Sequence, residues 1–427
     1  MKSFVCLLLI VFFSGYFAFS QDLDYAKQVV SKLASSDMKG RGYVENGEKI
    51  ASDYIAAEFE KMGLKPVGTS YFQPFKLSVN TFPNSMVCIF NKDTLKAGID
   101  YLVEACSPKI EGTFKVVILT RAEIAKQETL MAKLDKAKNS ILYIDNREKE
   151  ETDKGIKKKV DNLIEAIKYD PQVKVKAVIV QSNEKLTWDA STTVNSKPIL
   201  SINKEMDPQN LKSISLNIVN EFKEKYETRN VIGFIEGNEK PDSFIVVTAH
   251  YDHLGLMGKD VCFFGANDNA SGVAYILNLA KYYSVNKPKY SMVFIALAAE
   301  ELGILGAKEY AENPTINLKK IKFLINFDLA GTGDEGIRVV NGSVYKNKFD
   351  LLTKLNTENN LLPKIDIRGE ACISDHCMFY MKGVPCFYIY TQGGIKAYHD
   401  IYDKYETLPF TEFTDYVSLM IKFFDAL

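Results

Sequence analysis

The C-terminal half of the chain alternates short apolar runs with stretches of helical periodicity. The apolar runs occupy residues 231–235, 244–250, 292–299, 322–327 and 385–390. The helical stretches occupy residues 270–283, 303–313, 346–358 and 413–424. Strand-length apolar runs that alternate with helices are typical of parallel strands, so the pattern predicts an α/β sheet. The carboxyl ends of such strands meet at one edge, where functional groups gather.

Two amphipathic helices are predicted near the N-terminus, over residues 22–35 and 46–62. Each places four apolar residues on one face: Ala26, Val29, Val30 and Leu33 in the first, and Ile50, Tyr54, Ile55 and Phe59 in the second. Gly63 follows the second helix as a signal for its C-terminal cap.

The middle section, residues 79–218, has a different pattern. Short β-type runs occur at residues 86–90, 116–119, 141–144, 177–180 and 199–202, and one helical pattern fits residues 129–137. Residues 147–159 form a run of mixed charge, which is typical of a solvated loop and helix face. The section contains no histidine. It therefore predicts a separate, partly β domain without chemistry of its own.

Composition is typical of a globular protein, and the net charge bears on which partners the chain can bind. Its 427 residues suit two or three domains, and 46% are hydrophobic and 25% charged. The formal net charge of −1 gives no electrostatic reason to expect nucleic acid or an anionic membrane as a partner.

The first 20 residues have the pattern of an export signal. Lys2 is followed by an apolar stretch over residues 4–13, and Ala18-Phe-Ser20 is an acceptable cleavage site before Gln21. A membrane anchor is the alternative, but the stretch is short for a span of about 20 residues. We therefore predict an exported protein, periplasmic or secreted, without stable membrane insertion.

Six cysteines follow this signal, at positions 88, 106, 262, 372, 377 and 386. An even number in an exported chain permits disulfides, and Cys372 with Cys377 is the pair most easily closed. The alternative is that most are small buried hydrophobic residues. No CxxC spacing occurs, which disfavours cysteine as a metal ligand.

The candidate chemistry lies where the predicted strands end. The chain has four histidines, His250, His253, His376 and His399, and five acids follow predicted strands or open the turn after one: Asp252, Asp268, Glu300, Glu301 and Asp328. Carboxylates crowded at one sheet edge repel each other unless cations offset their charge. Imidazoles combined with carboxylates suit Zn²⁺, with Co²⁺ or Mn²⁺ as alternatives.

Several motifs together resemble the co-catalytic zinc aminopeptidases of the M28 type. They are His250 to Gly255 (HYDHLG), Gly265 to Gly272 (GANDNASG), Ala299 to Gly303 (AEELG), Asn326 to Asp328 (NFD) and Tyr398-His399, with Gly40 to Gly42 (GRG) near the N-terminus. The resemblance implies a three-layer αβα sandwich around a mostly parallel, mixed sheet. It also implies residues 21–78 and 219–427 as the catalytic domain, and residues 79–218 as an inserted, smaller β-rich α+β domain of the protease-associated type.

The resemblance implies two Zn²⁺ ions per chain and assigns their ligands. Asp268 would bridge the two ions. His250 and Asp328 would complete one site, and Glu301 and His399 the other. Two such ions lie about 3.5–4 Å apart, where they activate water and polarise a carbonyl group.

The same resemblance implies two catalytic residues beyond the ligands. Asp252 would orient the imidazole of His250. Glu300 would be the general base that takes a proton from water and passes it to the leaving amine. Tyr398 is a candidate donor to the oxyanion, with a structural tyrosine as the alternative. His253 and His376 are not ligands in the family pattern.

The leading hypothesis is therefore an exopeptidase acting on peptides with a free N-terminus. One alternative is a glutaminyl cyclase, which shares the architecture but uses a single zinc, whereas ligands for two metals are present here. A second is a binding protein on an inactive fold, although no ligand or base is missing. A third is a carboxypeptidase or dipeptidase of the same family, which needs a cation such as Arg338 or Arg368 near the substrate carboxylate.

Overall fold

The computed structural model describes residues 22–147 and 153–427. The predicted export signal lies outside these residues, as do five residues of the predicted charged run.

The described helices are α1 Leu23–Leu33, α2 Gly47–Lys61, α3 Arg121–Ile124, α4 Gln127–Lys136, α5 Lys154–Tyr169, α6 Gly272–Val285, α7 Leu305–Glu312, α8 Lys346–Asn359, α9 His376–Met381 and α10 Phe413–Asp425. The strands are β1 Lys65–Pro66, β2 Phe72–Thr81, β3 Val87–Phe90, β4 Asp93–Thr94, β5 Tyr101–Val103, β6 Ile110–Thr120, β7 Ile141–Asp145, β8 Ala177–Gln181, β9 Ile199–Ile202, β10 Ser213–Ile218, β11 Glu221–Ile235, β12 Lys240–His250, β13 Gly255–Met257, β14 Val261–Phe263, β15 Tyr290–Leu297, β16 Ile321–Asp328, β17 Ile337–Val340, β18 Ile365–Ile367 and β19 Cys386–Thr391.

The larger sheet is parallel at its centre. Its strand order is β1-β11-β15-β12-β16-β19-β17-β18, with β2 paired to β11. Strands β15, β12, β16 and β19 run parallel to one another, whereas β11 and β17 flank them in antiparallel orientation. The structure therefore confirms the predicted α/β sheet, with a parallel core in which all carboxyl ends point the same way.

Both faces of this sheet are covered. Along β12, Ile245 and Val247 pack into one apolar cluster with α1, α2, α6 and α10, and Val246 packs into another with α7 and α9. Strands buried on both faces consist of near-continuous apolar residues rather than alternating ones. This explains why the central strands were recognisable in the sequence, and it confirms the three-layer αβα sandwich.

The N-terminal helices follow the predicted pattern with one correction. The side chain of Asp22 caps α1 by accepting from the backbone N–H of Tyr25, and all four predicted apolar residues of α1 are buried. In α2 the buried face is rotated from the prediction: Ala51 and Ala56 are buried, whereas Ile50 is 39% exposed. The reason is that this helix packs its small residues against the sheet, which a pattern of large apolar residues does not reveal.

The middle section contains its own eight-stranded sheet, in the order β4-β3-β10-β6-β7-β8-β9-β5. Strands β6 to β9 are parallel; α3 and α4 connect β6 to β7, α5 connects β7 to β8, and a loop connects β8 to β9. Its link to the larger sheet is the long antiparallel pair of β2 and β11, which the sequence did not indicate. The predicted boundary near residue 79 falls inside β2.

One face of the smaller sheet packs against a hairpin that follows a central strand of the larger sheet. Trp188 and residues of β3, β5 and β9 form one apolar cluster with Met257 and Phe263 of the β13–β14 hairpin. The smaller sheet therefore shares buried surface with the hairpin that follows β12. No helix in the described residues is long and apolar enough to cross a membrane.

Candidate metal centre

Four parallel strands deliver the predicted site residues to one edge of the larger sheet. His250 is the last residue of β12, and Asp328 is the last residue of β16. Glu300 and Glu301 follow β15, and His399 lies in the loop after β19. Asp268 comes from the bridging turn, Ala266–Ser271, which leads into α6.

The first group of ligand atoms joins His250, Asp268 and Asp328. Nε2 of His250 lies 3.4 Å from Oδ1 of Asp268 and 3.4 Å from Oδ1 of Asp328. All three side chains are buried. Oδ1 of Asp328 is also buried without a hydrogen-bond partner among the described residues, which is costly for a carboxylate unless a cation neutralises it.

The second group joins His399, Glu301 and the other oxygen of Asp268. Nε2 of His399 lies 3.2 Å from Oδ2 of Asp268 and 3.2 Å from Oε2 of Glu301. Asp268 thus presents one oxygen to each group.

His253 also approaches this second group, and one of its ring nitrogens is paired with Glu301. Its ligand atoms and those of Asp268 and Glu301 lie within 4.8 Å of one another. However, Nδ1 of His253 is 2.7 Å from Oε1 of Glu301, which is a hydrogen-bond distance. We therefore assign His253 to holding one oxygen of Glu301, while the other oxygen faces His399 and Asp268.

Both groups have the spacing that a zinc ion requires. Zinc binds nitrogen and oxygen ligands at about 2.0–2.2 Å in tetrahedral geometry, which puts neighbouring ligand atoms about 3.3–3.6 Å apart. The four contacts made by the two imidazoles measure 3.2–3.4 Å. The residues therefore fit two metal ions that share Asp268.

The polar residues of the bridging turn hold it against the loop after β16. The side chain of Asn267 accepts a hydrogen bond from the backbone N–H of Gly331 at 3.0 Å. The side chain of Asn269 donates to the carbonyl of Phe327 at 3.1 Å, and the hydroxyl of Ser271 accepts from Ala330 at 2.7 Å. Within the GANDNASG motif, these bonds occupy the amides and the hydroxyl, whereas the carboxylate of Asp268 faces the imidazoles.

Two buried charged residues fix the backbone of the same turn. The carboxylate of Asp403 accepts from the backbone N–H groups of Asn267 and Asp268, at 2.8 and 3.0 Å. Arg41, which is fully buried, donates to the carbonyls of Gly265 and Asp268 at 2.7 and 3.1 Å. The sequence did not indicate either role.

The glycines beside Arg41 explain how it reaches the turn. A Cβ on Gly42 would lie 2.5 Å from the Cα of Gly255, and one on Gly40 would lie 2.3 Å from the carbonyl oxygen of Phe263. Such separations are impossible for a side chain, so only glycine permits this close approach of two backbones.

The carboxylate of Asp252 contacts the backbone of Glu300 and Glu301 more closely than it contacts the imidazole of His250. It accepts the backbone N–H groups of Glu300 and Glu301, at 3.0 and 3.4 Å. Its oxygen is 3.9 Å from Nδ1 of His250, and the closer acceptor for that nitrogen is the backbone carbonyl of Asp252, at 3.2 Å. The proposed orienting role of Asp252 toward His250 therefore acts in part through its main chain.

Glu300 lies in a buried, strongly acidic environment. Burial raises its pKa well above the usual range, and the neighbouring carboxylate of Asp375 raises it further. Asp375 is itself fully buried, neither of its oxygens has a hydrogen-bond partner among the described residues, and burial raises its pKa to about 8. Surroundings of this kind favour the protonated form of a carboxyl group.

Two tyrosines face the metal centre. Tyr398 is 47% exposed, and its ring stacks on the imidazole of His399 with centroids 4.1 Å apart. Tyr388 of β19, which the sequence did not single out, is buried and donates to Oδ2 of Asp328 at 3.4 Å. His376 stacks on Tyr388 and its Nε2 lies 2.9 Å from the carbonyl of Ala371, so it supports the tyrosine and is not among the ligand groups.

The remaining candidates have defined partners. Cys372 and Cys377 form a disulfide, which decides between the two alternatives left open for that pair, and the other described cysteines are free. Arg338 pairs with the carboxylate of Asp366 at 3.3 Å, and Arg368 donates to the hydroxyl of Tyr390 at 3.4 Å.

Comparison with known proteins relates part of the chain to a peptidase family. Residues 230–424 match the model of peptidase family M28. A probable zinc metalloprotease of Pyricularia oryzae is 35% identical over 114 residues, which cover 25% of this chain and 22% of that protein. A glutamate carboxypeptidase 2 homolog of Caenorhabditis elegans is 34% identical over 126 residues, covering 28% of this chain and 15% of that protein. The aligned part is thus about a quarter or less of the length of these curated relatives.

The solved structure of a zinc aminopeptidase from Bacillus subtilis is similar over nearly the whole chain. Its TM-score is 0.67, and the superposition covers 94% of this chain and 93% of that chain at 20% sequence identity. At this identity the likeness shows the fold.

Proposed function

We propose, from the premise that residues 230–424 form a domain of peptidase family M28, that this protein is a zinc-dependent aminopeptidase. It removes the first residue from peptides with a free N-terminus. The observation that carries this proposal is the pair of three-residue ligand groups that share Asp268, each with ligand spacing suited to zinc.

The contacts support the proposed ligand roles. His250 and Asp328 would hold one Zn²⁺ ion and Glu301 and His399 the other, with Asp268 shared between them; Co²⁺ or Mn²⁺ would suit the same donors. When bound, two such ions lower the pKa of water and polarise the scissile carbonyl.

Glu300 is the general base of the proposed reaction. The carboxylate takes a proton from the attacking water and transfers it to the leaving amine. The backbone N–H groups of Glu300 and Glu301 both donate to the carboxylate of Asp252. Held in this way, the two neighbouring side chains leave the backbone in different directions. In the proposed site, Glu301 binds metal and Glu300 faces the substrate. Tyr398, which is exposed beside His399, is the proposed donor to the developing oxyanion.

The two arginines considered for binding a substrate carboxylate have partners of their own. This supports an aminopeptidase over a carboxypeptidase, whose substrate carboxylate needs a cation, because Arg338 and Arg368 already pair with Asp366 and Tyr390.

The test is hydrolysis of a panel of aminoacyl amides by the purified protein, with and without a chelator. We expect cleavage of free aminoacyl amides, no cleavage of their N-acetylated forms, and loss of activity in chelator that added Zn²⁺ restores. Cleavage of N-acylated substrates with a free carboxylate would instead favour the carboxypeptidase suggested by the name of the Caenorhabditis elegans relative.

Metal content separates the proposal from the remaining alternatives. Two Zn²⁺ ions per chain support the aminopeptidase. One ion together with cyclisation of an N-terminal glutamine would identify a glutaminyl cyclase, and a protein that binds no divalent metal at pH 7 would be an inactive binding protein.

The proposed domain organisation and location complete this description. Residues 21–78 and 219–427 form the catalytic domain, and residues 79–218 are an inserted domain.

We propose that the protein is exported after cleavage between Ser20 and Gln21. Mass spectrometry of the protein recovered from its native host tests this, since the mature chain should begin at Gln21.

A further inference from the structure

The loop that carries His399 is held from outside by the middle section. We name residues 392–403 the His399 loop and residues 182–198, between β8 and β9, the clamp loop. Nζ of Lys185 donates to the carbonyls of Lys396 and Tyr398, at 2.8 and 3.1 Å, and forms an ion pair with Asp400. The backbone N–H of Trp188 donates to the carbonyl of His399 at 2.9 Å.

The clamp loop is itself firmly anchored. The indole of Trp188 is buried, donates to the carbonyl of Val103 at 2.7 Å and stacks on Phe263 with centroids 4.8 Å apart. Phe263 belongs to the hairpin that packs against the smaller sheet, and Ile401 of the His399 loop packs against the same apolar cluster. The clamp loop thus joins the two sheets beside the metal centre.

His399 needs such support because its backbone is strained. Its φ is +52°, in the left-handed region that a residue with a Cβ seldom adopts. Conformations of this kind persist only when surrounding contacts hold them. The hydrogen bond from Trp188 to the carbonyl of His399 is such a contact.

The next residue of the clamp loop contacts the imidazole directly. Oδ1 of Asp189 lies 3.2 Å from Nδ1 of His399, on the side of the ring opposite Nε2. A carboxylate that accepts from one ring nitrogen keeps the proton there and leaves the other nitrogen free to bind metal. No other carboxylate among the described ion pairs contacts Nδ1 of His399.

We infer that Asp189 is a positioning residue for metal ligand His399, so that the middle section supplies one contact on which the second metal site depends. This inference rests on the proposed two-metal function, and it gives the middle section a part in the chemistry that its sequence did not suggest. Partners of metal-bound histidines are worth about 10–100-fold in metal affinity. The carboxylate of Asp189 is 81% exposed, so we expect an effect near the lower limit.

The experiment titrates the full-length, metal-stripped protein with Zn²⁺ by calorimetry. In Asp189→Ala we expect one of the two sites to bind about 10-fold more weakly, while the other stays within twofold of wild type. Asp189→Asn should have a smaller effect, because its side-chain oxygen still accepts the hydrogen bond without the charge. The matched control is Asp93→Asn, at an exposed position on β4 at the opposite edge of the same sheet, which should titrate like wild type.

A spectroscopic readout separates positioning from general destabilisation. With Co²⁺ in place of Zn²⁺, Asp189→Ala should alter the visible absorption of the second site and leave the thermal unfolding temperature of the metal-free protein unchanged. Binding within twofold of wild type at both sites would overturn the inference, as would equal weakening of both sites with a lower unfolding temperature. A wild-type protein that binds two ions but cleaves no aminoacyl amide would overturn the proposed function and leave the result for Asp189 standing.

Discussion

The buried guanidinium of Arg41 offers the sharpest test of how this metal centre is supported. Arginine has five N–H donors, and all five are used here. The acceptors are the backbone carbonyls of Leu33, Tyr251, Phe264, Gly265 and Asp268, at 2.7–3.1 Å. Three of these carbonyls belong to the segment that presents the carboxylate of Asp268.

The perturbation is Arg41→Lys, which keeps the positive charge and removes the fork of donors. Lysine supplies at most three N–H groups, so at least two of the five carbonyls lose their partner. A buried polar group left unpaired costs about 1–3 kcal/mol, which gives a loss of about 2–6 kcal/mol in the free energy of unfolding. For a catalytic domain of the proposed size, such a loss corresponds to a fall of roughly 4–11 °C in the unfolding temperature.

The assay is thermal unfolding by calorimetry, with and without Zn²⁺, together with the zinc titration. We expect a lower unfolding temperature and weaker binding at both sites, because Asp268 serves both. The matched control is Arg338→Lys, since the side chain of Arg338 is 40% exposed in its pair with Asp366 and should change stability by less than about 1 kcal/mol. An Arg41→Lys protein that unfolds within 1 °C of wild type would refute the reasoning.

Four further predictions follow from the site. Glu300→Gln should lower turnover by at least about 10²-fold while both ions stay bound, measured by kinetics and metal analysis; loss of metal would make Glu300 a ligand instead. Asp268→Ala should lose both ions, and one tightly retained ion would argue against a bridge. Asp403→Asn should lower stability by about 1–3 kcal/mol in urea, because an amide cannot replace a carboxylate that accepts two backbone N–H groups; an unchanged midpoint would contradict this. Cys372→Ser, which opens the disulfide to Cys377, should cost about 2 kcal/mol for so short a loop, and a reductant should have no further effect on it.

The sequence by itself determined the central sheet and most of the site. Runs such as residues 244–250 are apolar throughout because both faces of the strand are buried, and this pattern is local. His250 and Asp328 were recognisable because they end such runs. Parallel strands bring their carboxyl ends together, so residues far apart in the chain could be assigned to one edge without knowledge of the remaining fold.

Other elements gave no such local signal. The pair of β2 and β11 was missed because much of it is exposed and polar, and Pro74 interrupts the strand pattern. The face of α2 was misassigned because it packs through alanines.

Only the tertiary structure decided what holds the ligands in place. Arg41 and Asp268 are 227 positions apart, and Asp189 and His399 are 210 positions apart. A lone arginine in a loop or an exposed aspartate in a section without histidines has no periodicity or motif that reveals its partner. Such contacts exist because folding brings two distant loops within hydrogen-bond range, and that proximity is a property of the whole chain rather than of any segment of it.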